Sequence, residues 1–184
     1  MQLYKANKSN KGAACSFGFN SKDGALFTQI VKQVSYDESR HIGSFSGGEK
    51  IVIKSGITEI GAFLDVLQRN VEYSTVHTTK DGTTQIWFAP YVVEADGVKT
   101  QKGYGLRVAR KSSDGKESKF LMPFNFGEAA ALKVYLDFVL RHIFSADYAE
   151  EKKNYKEKLK VKDAKVTTPV ESSEASSPDV QEEI

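Results

Sequence analysis

The 184-residue sequence contains a single cysteine, Cys15, and only three histidines. One cysteine excludes an internal disulfide and a cysteine-based zinc site, and no two histidines stand at the spacing of metal ligands. No apolar run approaches the roughly 18 residues that cross a membrane, and the polar residues 1–11 give no sign of a signal peptide. We therefore expect no metal, no cofactor and no membrane, in an intracellular protein of the cytoplasm, or of the host cytoplasm if it is viral.

The sequence also lacks the short motifs of common catalytic sites. It contains no Gly-x-Ser-x-Gly elbow, and the Gly/Ser-rich residues 44–48 lack the Gly-Lys-Ser/Thr ending of a phosphate-binding loop. Gly103-Tyr104-Gly105 opens a predicted strand, whereas a dinucleotide-binding fingerprint opens a helix. Cys15 has no base near it in sequence, which favours an inert thiol. These absences favour a non-catalytic protein, although catalytic groups can converge from distant parts of a chain.

Charge is distributed unevenly along the chain. The whole sequence has a net charge of +2, but residues 166–184 contain five acidic residues and no lysine or arginine. Residues 1–165 therefore hold 26 basic and 19 acidic residues, a net charge of +7. A basic body with an acidic tail suits a polyanionic partner. The tail has no aromatic residue and too little apolar area to offset its ordering entropy, so we expect it to be disordered.

Four Asp-Gly pairs mark predicted hairpin turns, because both central residues of a two-residue turn adopt positive φ. The third pair, Asp96-Gly97, is expected at the tip of an extended hairpin over residues 92–100. Segments rich in β-forming residues flank the pairs. We predict strands over residues 13–21, 25–34, 41–46, 50–55, 74–80, 83–91, 104–111 and 117–124.

Two segments carry apolar residues at helical spacing. Residues 57–70 form the first, with a predicted buried face of Ile57, Ile60, Gly61, Leu64 and Leu67. Residues 126–145 form the second, with a face of Leu132, Leu136, Val139, Leu140 and Ile143. Asn125, with Glu128 three residues later, predicts a capping box at the start of the second helix.

The order of these elements predicts two β-β-β-β-α units, over residues 13–70 and 73–145, within one domain of residues 1–145. This is an α+β fold, in which antiparallel sheets have helices packed on one face. A charged helical extension over residues 146–165 and the disordered acidic tail of residues 166–184 complete the predicted organisation.

Alternation along the predicted strands separates an apolar face from a face that carries cations and large rings. Rings stack on unpaired bases, and cations contact phosphates, so this second face suits single-stranded nucleic acid. The candidate contacts are Lys50, Lys54, His77, Trp87, Tyr91, Arg107, Arg110, Lys111 and Lys119. By strict alternation Arg110 falls on the apolar face and needs a bulge or a strand end to reach the others. The alternative for Trp87 and Tyr91 is packing in a core or a subunit interface.

A series of short motifs runs in order through residues 45–145. They are Phe45-Ser46-Gly47-Gly48-Glu49 before a Lys/Ile strand, Glu59-Ile60-Gly61-Ala62-Phe63-Leu64, His77, Ile86-Trp87-Phe88, Gly105-Leu106-Arg107-Val108, and Gly127-Glu128-Ala129 leading into the second helix. This series resembles the Whirly and transcriptional-coactivator type of single-stranded DNA-binding superfamily. The resemblance implies paired β-β-β-β-α units, binding of single strands along the sheets and self-association, so we expect a homo-oligomer. The Lys-Gly-Asn-Ala-Lys-Ala stretch of the plant members is absent.

Together these features predict a non-catalytic single-stranded DNA-binding protein, largely independent of base sequence, that acts in DNA replication, recombination or repair. An RNA-binding module of the same fold and a protein-interaction scaffold are the alternatives. Glu182-Glu183-Ile184 resembles the ends of the flexible acidic tails of replication proteins that bind single strands. The resemblance implies that the tail competes with DNA for the basic surface or docks replication and repair proteins.

Overall fold

The computed structural model describes residues 1–166, and it describes side-chain burial for residues 1–158. The predicted acidic tail, apart from its first residue, lies outside the described residues. The chain divides into two units, Met1–Phe144 and Ser145–Ile184. Among the described residues, no helix combines the length and the apolar character that crossing a membrane requires.

The first half of the chain forms a run of short strands followed by a helix. These elements are β1 (Gln2–Lys5), β2 (Ala13–Asn20), β3 (Ala25–Lys32), β4 (Ser35–Asp37), β5 (Ile42–Ser44), β6 (Lys50–Ser55) and α1 (Ile57–Arg69). The second half repeats the pattern with longer strands. Its elements are β7 (Tyr73–Thr79), β8 (Gly82–Ala95), β9 (Val98–Ser112), β10 (Glu117–Phe124) and α2 (Phe126–Val166).

Two antiparallel four-stranded sheets carry the fold, in the strand orders β1-β2-β3-β6 and β10-β9-β8-β7. A helix follows each sheet in the chain, which confirms the predicted α+β fold. The first sheet differs from the prediction in one strand. Its edge is β1, which pairs with β2, whereas β5 pairs with β4 in a separate two-stranded ribbon. Strand β1 was not predicted from the sequence, because its four residues of mixed polarity gave no strand signal of their own.

All four Asp-Gly pairs lie where two antiparallel strands connect, as predicted. Only Asp96 and Gly97 both have positive φ, of 52° and 75°, in a two-residue connection at the end of the β8–β9 hairpin. At the other three pairs only the glycine has positive φ. The expectation that both residues adopt positive φ was therefore wrong for those three turns.

The helix-facing sides of both sheets and the apolar stripes of both helices form one hydrophobic core within Met1–Phe144. The strands reach it by alternation, as in β6, where Ile51 and Ile53 are buried and Lys50 and Lys54 are exposed. From α2 the core receives Ala129, Leu132, Leu136, Val139 and Ile143.

The buried face of α1 differs from the predicted one. Ile60 and Leu67 are buried as predicted, but Phe63 and Val66 are buried beside them and Ile57 is 38% exposed. The ring of Phe63 packs edge-on against the rings of Tyr73 and Phe88, with centroid distances of 5.8 and 5.5 Å. Phe63 is buried because the rings of β7 and β8 pack against this face of the helix.

In the first turn of each helix, a glutamate side chain accepts a hydrogen bond from the backbone N–H of the residue that precedes the helix. In α1 the Glu59 carboxylate accepts a hydrogen bond from the Gly56 backbone N–H at 3.3 Å. In α2 the predicted capping box is confirmed, with the Glu128 N–H donating to Asn125 Oδ1 at 2.9 Å and the Asn125 N–H donating to Glu128 Oε2 at 2.8 Å. Beyond Phe144 the helix continues through residues 145–166, and its side chains are exposed as far as residue 158.

Glu49 joins the two sheets through polar contacts. Its carboxylate accepts hydrogen bonds from the Lys32 ammonium of β3, at 2.6 Å, and from the Ser118 hydroxyl of β10. The same ammonium lies 4.8 Å from the centroid of the Phe120 ring. The hydrogen bonds from Lys32 and then Ser118 lower the pKa of Glu49 below its ordinary value.

Replacing Glu49 with Gln is expected to lower the free energy of unfolding at neutral pH but not at acid pH. A carboxyl whose pKa is lowered by folding stabilises the protein above its unfolded pKa, near 4.5, and that contribution disappears as the pH falls through the folded pKa. The carboxylate is 36% exposed, so solvent limits the difference to about 1 kcal/mol or less. Urea unfolding of both proteins across this pH range measures it, and an equal difference at all pH values would contradict the assignment.

Gly103 is expected to tolerate no side chain. It lies at the β-bulge where the β8–β9 register shifts between Tyr91 and Val92, and its φ is +141°. A Cβ atom there would lie 1.9 Å from the Phe124 carbonyl oxygen. We expect Gly103→Ala to lower the free energy of unfolding by about 2 kcal/mol or more. Gly18→Ala is the control, since Gly18 is an exposed strand residue with no atom within 4 Å of its Cβ position. Equal losses for the two variants would refute this.

Candidate nucleic-acid interface

The outer face of the second sheet carries a row of side chains that crosses all four strands. Trp87 of β8 pairs with Ser74 of β7 on one side and with Arg107 of β9 on the other, and Arg107 pairs with Leu121 of β10. Paired residues of antiparallel strands point to the same side of the sheet. The neighbours Ile86 and Phe88 are buried in the core, so this row faces away from it.

The adjoining rows bring further cations to the same face. Lys119 pairs with Ala109, which pairs with Gln85, and Lys111 lies one row further along. Tyr91 lies four residues beyond Trp87 on the same side of β8, and its ring lies 3.5 Å from the position of a Cβ atom at Gly105. The structure thus brings together five of the nine predicted residues, which are Trp87, Tyr91, Arg107, Lys111 and Lys119.

A groove of about 650 Å³ runs across this face. Trp87, Tyr91, Arg107 and Lys119 line it. Trp87 and Tyr91 are partly buried, whereas Arg107 and Lys119 are exposed. Among the residues whose side chains are described, no carboxylate lies within 4.0 Å of either of these two cations. The groove therefore offers rings and unneutralised positive charge side by side.

Lys50 and Lys54 lie on the outer face of the first sheet, separate from this groove. There the Lys54 ammonium is 5.7 Å from the centroid of the Phe27 ring and 3.5 Å from an Asp23 carboxylate oxygen. Tyr4 of β1 lies on the same face, since it pairs with Ala14, and its ring centroid is 5.9 Å from that of Phe45. The first sheet thus also presents rings and cations on its outer face.

His77 is not brought to the face that carries Trp87. It pairs with Thr84, so it shares the opposite side of the second sheet with Tyr73 and Ile86. Its Nε2 atom lies 2.5 Å from a carboxylate oxygen of Glu59 in α1. Strand alternation fixes this placement, because the residue of β7 opposite Trp87 is Ser74, an odd number of positions from His77.

Arg110 also remains on the helix-facing side. It pairs with Thr84 and Ser118, and it shares its side with Val108. The bulge that it needs in order to change faces is absent from its part of the sheet, because the register shift lies at Tyr91/Val92. Strict alternation therefore applies to Arg110. Arg110 and His77 both lie on the side of the sheet opposite to the other candidate contacts of this sheet.

Other residues of the two outer faces were not among the predicted contacts. Gln85 and Leu121 alternate with buried residues, so the sequence pattern indicated that they lie on the outer face. Glu72 precedes the predicted strand, so no pattern indicated its position. Phe27 lies on the same face as Lys54 because the two residues pair across β3 and β6. The sequence near either residue does not indicate this register.

The single cysteine is buried in the core. Cys15 is 2% exposed in the core, and burial raises the pKa of its thiol to about 12, so it is protonated at neutral pH. Among the described residues, no group of three or more His, Cys, Asp or Glu side chains is placed to hold a metal ion.

Solved structures with the same architecture exist at low sequence identity. The Whirly protein WHY1 from Arabidopsis thaliana is 16% identical, with 84% of this chain and 90% of that chain covered and a TM-score of 0.58. The plant transcriptional regulator PBF-2 is 14% identical, with 81% and 92% covered and a TM-score of 0.57. MRP1/MRP2 of Trypanosoma brucei is 15% identical, with 80% and 95% covered and a TM-score of 0.56.

No protein-family model matches the sequence, and a search of curated proteins finds no match. The likeness therefore concerns architecture, which is shared over four fifths of the chain. The two antiparallel sheets, each followed by a helix, form a Whirly-like fold, as the resemblance in the sequence implied.

Proposed function

We propose that the protein is a non-catalytic single-stranded DNA-binding protein, largely independent of base sequence, that acts in DNA replication, recombination or repair. One observation carries the proposal. The register of β8 and β9 places Trp87 beside Arg107 on the outer face of the second sheet, in a groove that also holds Tyr91 and Lys119.

This arrangement favours single strands over duplexes. The flat face of an aromatic ring stacks on an unpaired base, a contact worth ~1–3 kcal/mol, whereas in a duplex the base faces are already stacked on one another. Proteins that read duplex DNA commonly insert a helix or a ribbon into the major groove. Here α1 lies on the core side of the second sheet, behind the rings.

The cations supply affinity without sequence preference. Arg107, Lys111 and Lys119 are exposed on the face that carries Trp87, where they can contact phosphates and release bound counterions. Lys50 and Lys54, beside Phe27, offer the same combination on the first sheet, and we include them as a second contact surface. His77 and Arg110 are left out of the proposed interface, since both lie on the helix-facing side.

Self-association and tail binding belong to the same proposal. Among the described residues the edge strands are β1 and β6 in the first sheet and β10 and β7 in the second, and edge strands favour contact between copies of a chain. We therefore propose a homo-oligomer. We also propose that the acidic tail competes with DNA for the basic face or docks replication and repair proteins.

The two alternatives to DNA binding give different results in solution. An RNA-binding module would prefer RNA when DNA and RNA oligomers of one base sequence compete, because the 2′-hydroxyl is then recognised. In a protein-interaction scaffold, the fluorescence of Trp87, the only tryptophan of the chain, would not change when either oligomer is added.

Trp87→Ala is expected to weaken binding of oligothymidine by ~1–3 kcal/mol, since it removes one stacking ring. Titration of the wild-type protein should quench the fluorescence of Trp87 with single-stranded DNA and much less with a duplex of the same length. The control is Val76→Ala, which alters an exposed residue of the neighbouring strand without removing a ring. Unchanged affinity in Trp87→Ala, together with no quenching in the wild type, would contradict the proposal.

Arg107→Ala is expected to weaken binding to the same degree for all base sequences. The loss of one phosphate contact should reduce the steepness of the plot of log K against log salt concentration by about 0.7. Arg69→Ala is the matched control, because Arg69 is an exposed arginine at the end of α1 that lines no part of the groove. Equal salt dependence in wild type and Arg107→Ala would remove Arg107 from the interface.

A further inference from the structure

The groove on the second sheet contains a notch with a floor of small residues. Ala89 and Gly105 are paired across β8 and β9, so only a methyl group and a glycine backbone lie there, and the Tyr91 ring leans over Gly105, 3.5 Å from the position of a Cβ atom. Trp87 and Tyr91 flank this floor along β8, four residues apart, a distance of about 13 Å between Cα atoms in an extended strand. Between the two side chains the groove is lined on β8 by Ala89.

Glu72 lies at one side of this notch. It immediately precedes Tyr73, which pairs with Phe88, so the chain brings it next to Ala89 at the open edge of the sheet. It is the only carboxylate among the described residues that line the groove. Its side chain is exposed and has no lysine or arginine nitrogen within 4.0 Å among the described side chains.

A carboxylate without a cation partner is unfavourable in a groove that is proposed to bind phosphates. It repels phosphate, and an ionised carboxylate can only accept hydrogen bonds. The donors that a single strand offers are on the edges of its bases, which are free when no second strand pairs with them. Glu72 therefore suits the base side of the bound strand, opposite the cations that suit its backbone.

Guanine matches a carboxylate better than the other bases do. Its Watson–Crick edge sets two donors side by side, the ring N1–H and the amino group at C2, which can bind both oxygens of one carboxylate. Adenine and cytosine place a ring acceptor beside the amino group, and thymine has one N–H between two carbonyls. In a duplex the two guanine donors are already paired.

We propose that Glu72 binds the Watson–Crick edge of an unpaired guanine in the notch between Trp87 and Tyr91, and so gives the protein a preference for guanine within single strands. The inference rests on the proposed function and adds a preference at one position of the bound strand, while the phosphate and stacking contacts elsewhere remain independent of base sequence. Since hydrogen bonds to a charged group are strong, the preference is expected to be about tenfold at the occupied position.

The test uses three oligonucleotides of one length with the full chain. One is oligothymidine, one carries guanine at every fourth position, and one carries inosine, which lacks the amino group, at those same positions. Wild-type protein should bind the guanine oligonucleotide about tenfold more tightly than the inosine one. Glu72→Gln should remove this difference. Glu94→Gln is the control, because Glu94 is an exposed carboxylate of β8 that does not line the groove, and it should keep the difference.

Two results would overturn the inference while leaving the proposed function intact. If Glu72→Gln tightens binding of all three oligonucleotides equally, the carboxylate only repels phosphate. If the guanine-to-inosine ratio is one in the wild type, or is unchanged in Glu72→Gln, Glu72 does not read the base. Failure of the proposed function looks different, since the wild type would then bind none of the three and Trp87→Ala would change nothing.

Discussion

The pairing of β8 with β9 is the constraint on which both the core and the outer face depend. Ile86 pairs with Val108 and Phe88 with Leu106, and all four side chains are buried. Alternation then places Trp87 and Arg107 opposite each other on the outside. A slip of one residue would move the aromatic and aliphatic core residues into solvent. The packing energy of the core therefore also fixes which side chains are available to a ligand.

The same constraint decides which chemically suitable residues are excluded. His77 and Arg110 have side chains that suit a phosphate, and both lie within a few residues of the groove in sequence. Each is an odd number of positions from a residue of the outer face, so each lies on the side that meets the helices. There the Nε2 atom of His77 contacts the carboxylate of Glu59, the residue that also caps α1.

Local pattern was enough to predict the parts of the fold that local forces determine. The strands at 50–55 and 117–124 have the predicted bounds because buried residues alternate with more exposed ones, and the capping box forms between Asn125 and Glu128, three residues apart. The edge strand β1, the pairing of Phe27 with Lys54 and the burial of Phe63 depend instead on contacts between distant segments. Among the candidate contacts, alternation placed Trp87 and Arg107 correctly relative to the core, but the relative register of β7 had no local signal.

On the outer face of the second sheet, three kinds of side chain have different parts in the proposed recognition of a single strand. Cations such as Arg107 and Lys119 act on the backbone, which is the same for every sequence, so they raise affinity without discrimination. Rings act on base faces, which a duplex hides, and so they select strandedness. Only a group directed at a base edge can select among bases. In this groove the open edge of the sheet beside Ala89 supplies that position, because β7 ends its pairing at Tyr73 and leaves Glu72 facing the notch rather than a neighbouring strand.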